Sequence, residues 1–480
     1  MPSLSATLLA QRISSPKIDS NLLESTIHTQ TLGINSKPNH QRISPAFLSL
    51  ICMGVLLSIP NNIHAKEDWT ITNGATLDTT SNTDKLTISI TNKQISATQR
   101  KDYKNLEITS SGSITNTDNK NAINVGSNAK VGTITNKGNI NTQGTSVEMK
   151  GTIANFNNEG TIKNTKQSGL AIFGMNSKIE TFNNSGSIGT KGSSVLFINS
   201  TTDYFINSGT IKDESGTSYA ITVSSSTAKN FTNIGTITGG IQGIYFNSAT
   251  IDNFTNKGTI NATDTSAQAV YMGHSNVKNI TNEGYLKGAT GIQITGSTIT
   301  NVTNKGTIES TGDTLNLGAI VAYDTKIAII SNEGILSAKK NGINYGSGVN
   351  VDEIINKGTI KAEGFGINFT GSTPAKLGKI TLADGSSIES KLDAISINAN
   401  NKKYEVGSID IQKGATIKSE SGAAINVASN SHITGDITIA GKIEAKTGIA
   451  NAGNIAGNIS ALDNTDFSIE NKGGGNIVGG

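Results

Sequence analysis

Cysteine is nearly missing from this chain of 480 residues: there is one, Cys52. A lone cysteine forms no internal disulfide and no thiolate cluster for zinc or iron–sulfur, so stability has to come from burial and hydrogen bonding. Aromatic residues make up 5% of the sequence and hydrophobic residues 35%, with a single tryptophan, which is a thin supply for one large globular core. Of six prolines, five (Pro2, Pro16, Pro38, Pro45, Pro60) precede residue 66, leaving only Pro374. Histidine follows the same division: His28, His40 and His64 come early, and only His274 and His432 remain. Two distant histidines argue against zinc, and no Gly-x-Ser-x-Gly element or phosphate loop is present. The sequence therefore predicts no catalytic, cofactor-binding or metal site, and not an enzyme. The formal charge is only +3, too small for the concentrated basic face that nucleic acid demands.

Low hydrophobicity alone would suggest disorder, but disorder also needs high net charge or absence of pattern. Neither holds here. The one long apolar run, Ala46 to Ile59, spans 14 residues, follows Lys37 and Arg42, and is succeeded by Ile63-His64-Ala65 before the charged Lys66-Glu67-Asp68. A basic flank, a run short for a bilayer and a small residue before a polar start are the parts of a secretory signal. Residues 1–65 read as a long leader, with cleavage between Ala65 and Lys66. Four of the 39 basic and two of the 36 acidic residues fall in that leader, leaving 35 and 34. The mature chain is then uncharged overall and free of cysteine.

What the rest contains is a repeat. The element Asn-x-Gly recurs at Asn136, Asn158, Asn184, Asn207, Asn233, Asn256, Asn282, Asn304, Asn332 and Asn356. Successive intervals are 22, 26, 23, 26, 23, 26, 22, 28 and 24 residues, about 24 on average and within the range of solenoid coils. Two residues before each Asn the side chain is apolar, from Ile134 and Phe156 to Ile330 and Ile354; four after it stands Ile or Leu, from Ile140 to Ile360. A third short run, such as Ala220-Ile221-Thr222-Val223 or Gly291-Ile292-Gln293-Ile294, alternates with the period of a strand buried on one face.

Three short strands cannot bury themselves, but stacked coil on coil they form a continuous core. The predicted fold is all-β: a three-faced parallel β-helix, right-handed as parallel crossovers generally are, with coils of about 24 residues. Roughly 16 coils at ~4.8 Å each give a rod about 75–80 Å long. Asparagines stacked at one corner can pass amide hydrogen bonds from coil to coil, a structural ladder, and glycine can take a left-handed backbone there. A ligand site lined by those asparagines is the alternative. Residues 66–120 read as an N-terminal cap with Trp69 and irregular coils, 121–360 as regular repeats, and 361–480 as less regular coils. Loops are expected in the longer coils, Asn304 to Asn332 and Gly385 to Gly414, and at Pro374.

Segments such as Phe254-Thr255-Asn256-Lys257-Gly258-Thr259-Ile260 and Val302-Thr303-Asn304-Lys305-Gly306-Thr307-Ile308 resemble the passenger repeats of bacterial autotransporters. They are similar to those of vacuolating-cytotoxin-like and adhesin proteins of Helicobacter and Campylobacter relatives. The resemblance implies export, display at the cell surface or outer membrane or release outside, and an outer-membrane translocator barrel. No barrel pattern precedes Gly480, so the reading expects a truncated chain. The function it implies is a structural, adhesive passenger that binds a host-surface or neighbouring-cell ligand through its faces or loops. The alternative is a toxin-like passenger acting on host cells.

Overall fold

The computed structural model describes residues 102–480 apart from 118, 120, 371–374, 399–403 and 463–464. Four short strands before them are also described: Ile63–His64, Thr70–Ile71, Ser89–Thr91 and Ile95–Ala97. The apolar run 46–59 with Cys52, the cleavage pair Ala65 and Lys66, Trp69 and Pro374 all lie outside the described residues. Part of the expected loop between Gly385 and Gly414, residues 399–403, lies outside them too.

One coil shows how the sequence folds. It comprises β1 (Gln242–Asn247), β2 (Thr250–Asn256) and β3 (Thr259–Ala262). Ile244 and Phe246 of β1, Ile251 and Phe254 of β2 and Ile260 of β3 are all buried. Each removes its side chain from water for about 1.5–3 kcal/mol. In the next coil Val270, Met272, Val277, Ile280 and Leu286 lie in register with those five, through parallel pairing on every face. Repetition builds three parallel sheets, which enclose one core over about 14 turns with coils of about 26 residues. At ~4.8 Å per turn that rod measures about 65–70 Å, shorter than the sequence suggests. We call the sheets of β1, β2 and β3 faces one, two and three.

Inward residues of β2 sit at 251, 254 and 256, a step of three followed by a step of two. The ladder skips Asp252, so the strand bends there and turns two successive side chains outward. That bend puts Ile251, five before Asn256, inside the rod, where strict alternation would turn it outward. Along face two, Phe156, Phe182, Phe205 and Phe231 stack with ring centroids 5.0, 4.7 and 4.1 Å apart. Phe246 meets Phe231 edge-on across the core at 5.4 Å.

At the corner between faces two and three the ten asparagines form one buried file. Asn136 Nδ2 donates to Asn158 Oδ1 at 2.8 Å, and so on without a gap to Asn332 and Asn356, at 2.6–2.8 Å throughout. Each amide is also shared with the backbone: Asn233 Nδ2 donates to the carbonyls of Gly235 and Thr259. The reason expected for the glycine does not hold. The glycine of the repeat, Gly258 for example, is not left-handed. It is needed because a Cβ there would stand 2.0 Å from the Gly235 carbonyl oxygen of the coil before.

In the asparagine coils a row of left-handed residues stands instead at the corner between faces one and two. Asn176, Asn199, Ser225, Ser248, His274 and Asp324 have φ of 48–53°, and Gly296 joins them at 61°. Asn and Asp reach that region more readily than other residues with a Cβ. The next residue is small and buried, and it starts a second file: Ser177 Oγ donates to Ser200 Oγ at 2.9 Å, and Ser226 Oγ accepts from the Ser200 N–H at 2.9 Å. Ser275 and Ser297 continue it.

Candidate binding edge

The third corner, from face three back to face one, is where coils differ. Between Thr210–Asp213 and Tyr219–Ser224 run residues 214–218, and the next coil makes the same connection with 240–241. It is then made by 263–267, by 289 alone, by 311–317 and by 339–340. Long and short corners alternate, so the extra residues of every second coil emerge along one edge. The intervals between asparagines (26, 23, 26, 22, 28, 24) record the same alternation. The expected loop between Asn304 and Asn332 is the longest of these corners.

Each long corner is held by hydrogen bonds to or from a polar side chain. Asp213, buried, accepts from the N–H groups of Ser215 and Ser218 at 2.8 and 2.7 Å and from that of Gly240 in the next coil at 3.2 Å. Asp264 Oδ1 accepts from both the N–H and the hydroxyl of Ser266 at 2.9 Å. These bonds hold its carboxyl below the usual carboxylate range, the backbone N–H contributing most. The third corner lies back on face one: Asn341 Nδ2 donates to the carbonyls of Leu315 and Leu317 at 2.6 and 2.9 Å, and Asn344 Nδ2 to that of Asn316 at 3.1 Å. Leu315 at its tip is 72% exposed.

Because the corner at 289 is short, a notch of about 570 Å³ opens between its two long neighbours. Residues 263–265 line one side and 311–313 the other, with Asn261, Lys287 and Lys339 between and beside them. Lys287 pairs with Glu309 at 2.9 Å, which raises the ammonium's pKa, chiefly through the hydrogen bond. Glu309 also accepts from the Tyr285 hydroxyl. Across the notch Asp313 pairs with Lys340 at 3.0 Å, and that bond depresses its carboxyl. Asn261 Oδ1 is buried and accepts no hydrogen bond. The arrangement offers hydrogen-bond donors and acceptors to a ligand of modest size.

Other singled-out residues lie elsewhere. The ten asparagines are sealed inside the rod at 0–1% exposure, away from any ligand at the surface. His274 is exposed at a face-one corner, and His432 Nε2 lies 2.8 Å from Asn454 Nδ2 on face two. Among the described residues no group of three or more His, Cys, Asp or Glu is placed to hold a metal. Comparisons with protein-family profiles, curated proteins and solved structures return no match.

Proposed function

We propose that this chain is an exported, surface-displayed or released structural and adhesive rod of the autotransporter-passenger kind, which binds rather than turns over its ligand. The observation that carries this reading is the alternation of long and short corners along one edge. Three hydrogen-bonded sheets give stiffness at low sequence complexity, and a stiff rod holds one edge at a distance from its anchor. Variation confined to loops on a rigid scaffold is the usual mark of a contact surface. The leader-like start at residues 1–65 supports export, and a host-surface or neighbouring-cell molecule is the ligand class this implies.

The test is to replace residues 214–218, 263–267 and 311–317 together with two-residue links like 339–340. Beads coated with the full chain or with this variant are then compared for adherence to cultured animal cells and to bacteria. The proposal expects adherence to be lost with the corners while the far-ultraviolet spectrum stays that of a β-helix. Undiminished adherence would sink it.

A further inference from the structure

We infer that the notch between corners 263–267 and 311–317 is a binding site for a short segment of neutral glycan. This rests on the adhesive reading and names its ligand. The volume, about 570 Å³, falls within the range of small-ligand sites. Its charges, two carboxylates and two ammonium groups, balance and favour neither an anion nor a cation. Asp264 and Asp313, both held ionised by their hydrogen bonds, face a phosphate or sulfate with repulsion. Lys287 and Lys339 do the same to a cation. Apolar surface in the notch is scattered over the Ala262 methyl, the threonine methyls and the lysine stems, with no larger aliphatic or aromatic side chain among the lining residues to seat a wholly apolar ligand.

A ligand dense in hydroxyl groups fits what remains, because each hydroxyl both donates and accepts. It can donate to Asp264 Oδ2, which accepts nothing among the described residues while Oδ1 takes both bonds from Ser266, and, with the Asn261 amide turned toward the notch, to Asn261 Oδ1, the buried acceptor left without a partner. It can accept from the Lys287 and Lys339 ammonium groups and exchange bonds with the hydroxyls of Thr263 and Thr311. A buried polar atom without a partner is uncommon and calls for an explanation such as an absent ligand or water. Beside the notch, two positions before Lys287 on the same outward side of face three, stands Tyr285. Its hydroxyl is tied to Glu309, so its ring is fixed in place, and a fixed aromatic ring is a platform for the C–H side of a sugar.

The experiment uses the full chain. It is applied to a printed array of neutral, sialylated and sulfated oligosaccharides, and the strongest neutral binder is then titrated by calorimetry. The expected dissociation constant is on the order of 10⁻⁴ M, weakened roughly tenfold or more by Asn261→Ala, by Asp264→Asn and by Tyr285→Ala. Asn253→Ala, on the outer side of face two, should bind like the parent. Asp264 is exposed, so its variant tests the site without endangering the fold. The inference is overturned by silence of all neutral oligosaccharides, by preference for sialylated or sulfated ones, or by Asn261→Ala and Asp264→Asn binding as the parent does. Bead adherence that needs the long corners in a chain that binds no neutral glycan would overturn this inference alone. Glycan binding in a chain whose adherence ignores the corners would overturn the adhesive reading instead.

Discussion

The same corner, between faces two and three, is built in two ways. From Asn136 to Asn356 only two residues join the strands, as Lys257-Gly258 do, and an asparagine amide fills the inside. Beyond that, Leu382 and Ile411 take the asparagine's place in register, and four residues make the connection. There the backbone closes its own turn: the Ser386 N–H donates to the Ala383 carbonyl at 3.0 Å, the Ala415 N–H to that of Gln412 at 3.0 Å, and Gly385 and Gly414 are left-handed. Before the file the arrangement is the later one, with Ile108 in register and the Gly112 N–H bonded to the Thr109 carbonyl at 2.8 Å. A tight link leaves backbone carbonyls that only a side chain can reach. A turn satisfies itself and lets an aliphatic side chain fill the core. Asparagine and the short link therefore go together as one device through ten coils; later in the rod Ile439, in register with Ile411, keeps a two-residue link (440–441) with an aliphatic side chain inside.

The largest effect expected from breaking that device is at the middle of the file. Asn233→Leu keeps the volume but strips a partner from Asn207 Nδ2 and from Asn256 Oδ1. Asn256 Oδ1 is then orphaned, at about 1–3 kcal/mol, and the Asn207 amide falls back on its long bonds to the Gly209 and Thr236 carbonyls, so the coil should lose about 2–4 kcal/mol. Asn356→Leu orphans no member of the file, because the Asn332 amide keeps the Gly334 and Thr359 carbonyls, and half that loss or less is expected. Thermal melts, with hydrogen exchange at the Ile234 and Gly235 amides that bond to the Asn207 carbonyl, read both. Equal losses at the two sites would mean the file is not cooperative in the way its geometry requires.

Glycine separates the two corners next. Gly258→Ala drives a Cβ to 2.0 Å from the preceding coil's carbonyl oxygen, and the coils must part, at a cost of about 3 kcal/mol or more. At Gly385 nothing lies within 4 Å of a Cβ but φ is +75°. Alanine there pays only left-handed strain, about 1–2 kcal/mol. Comparable melts of the two variants would contradict the close approach of backbones in the asparagine coils.

Much of this was legible in the sequence because it repeats at high contrast. Ten asparagines, each followed by glycine and bracketed by aliphatic residues, stand out against any background, and their file and register follow. The serine file did not stand out. Ser177, Ser200 and Ser226 sit in a text crowded with Asn, Ser and Thr, where one more serine per coil carries no contrast. The glycine was noticed, but spacing does not distinguish a residue that needs a left-handed φ from one that needs closeness. The binding edge was recorded in the intervals, as an alternation of long and short coils. A length difference, however, does not say which of three corners takes the extra residues, and only the pairing of strands assigns them.

The smallest expected effect concerns acid, and it separates the buried file from the outer side chains. The asparagine file itself carries no group that titrates; the charged residues of its corner, such as Lys257 and Glu283, and Asp384 of the first aliphatic corner stand in the links outside it. Sensitivity to acid comes from outer side chains, and the best connected of these are Lys287, Glu309 and Tyr285, which meet on face three. Burial works against ionisation of Glu309, but hydrogen bonds from Tyr285 and Lys287 outweigh it and its pKa is lowered. A depressed carboxylate contributes stability that is present above the unfolded value of about 4.3 and is lost as pH falls through the folded one. Because the pair is partly open to water, that contribution is about 1 kcal/mol at most. Glu309→Gln should therefore melt slightly below the parent at neutral pH and approach it below about pH 4. Asn233→Leu should keep its deficit across the same range. If the gap between Asn233→Leu and the parent closed in acid as well, the file would be coupled to a titrating group. The separation of a pH-independent buried file from the charged outer side chains would then fail.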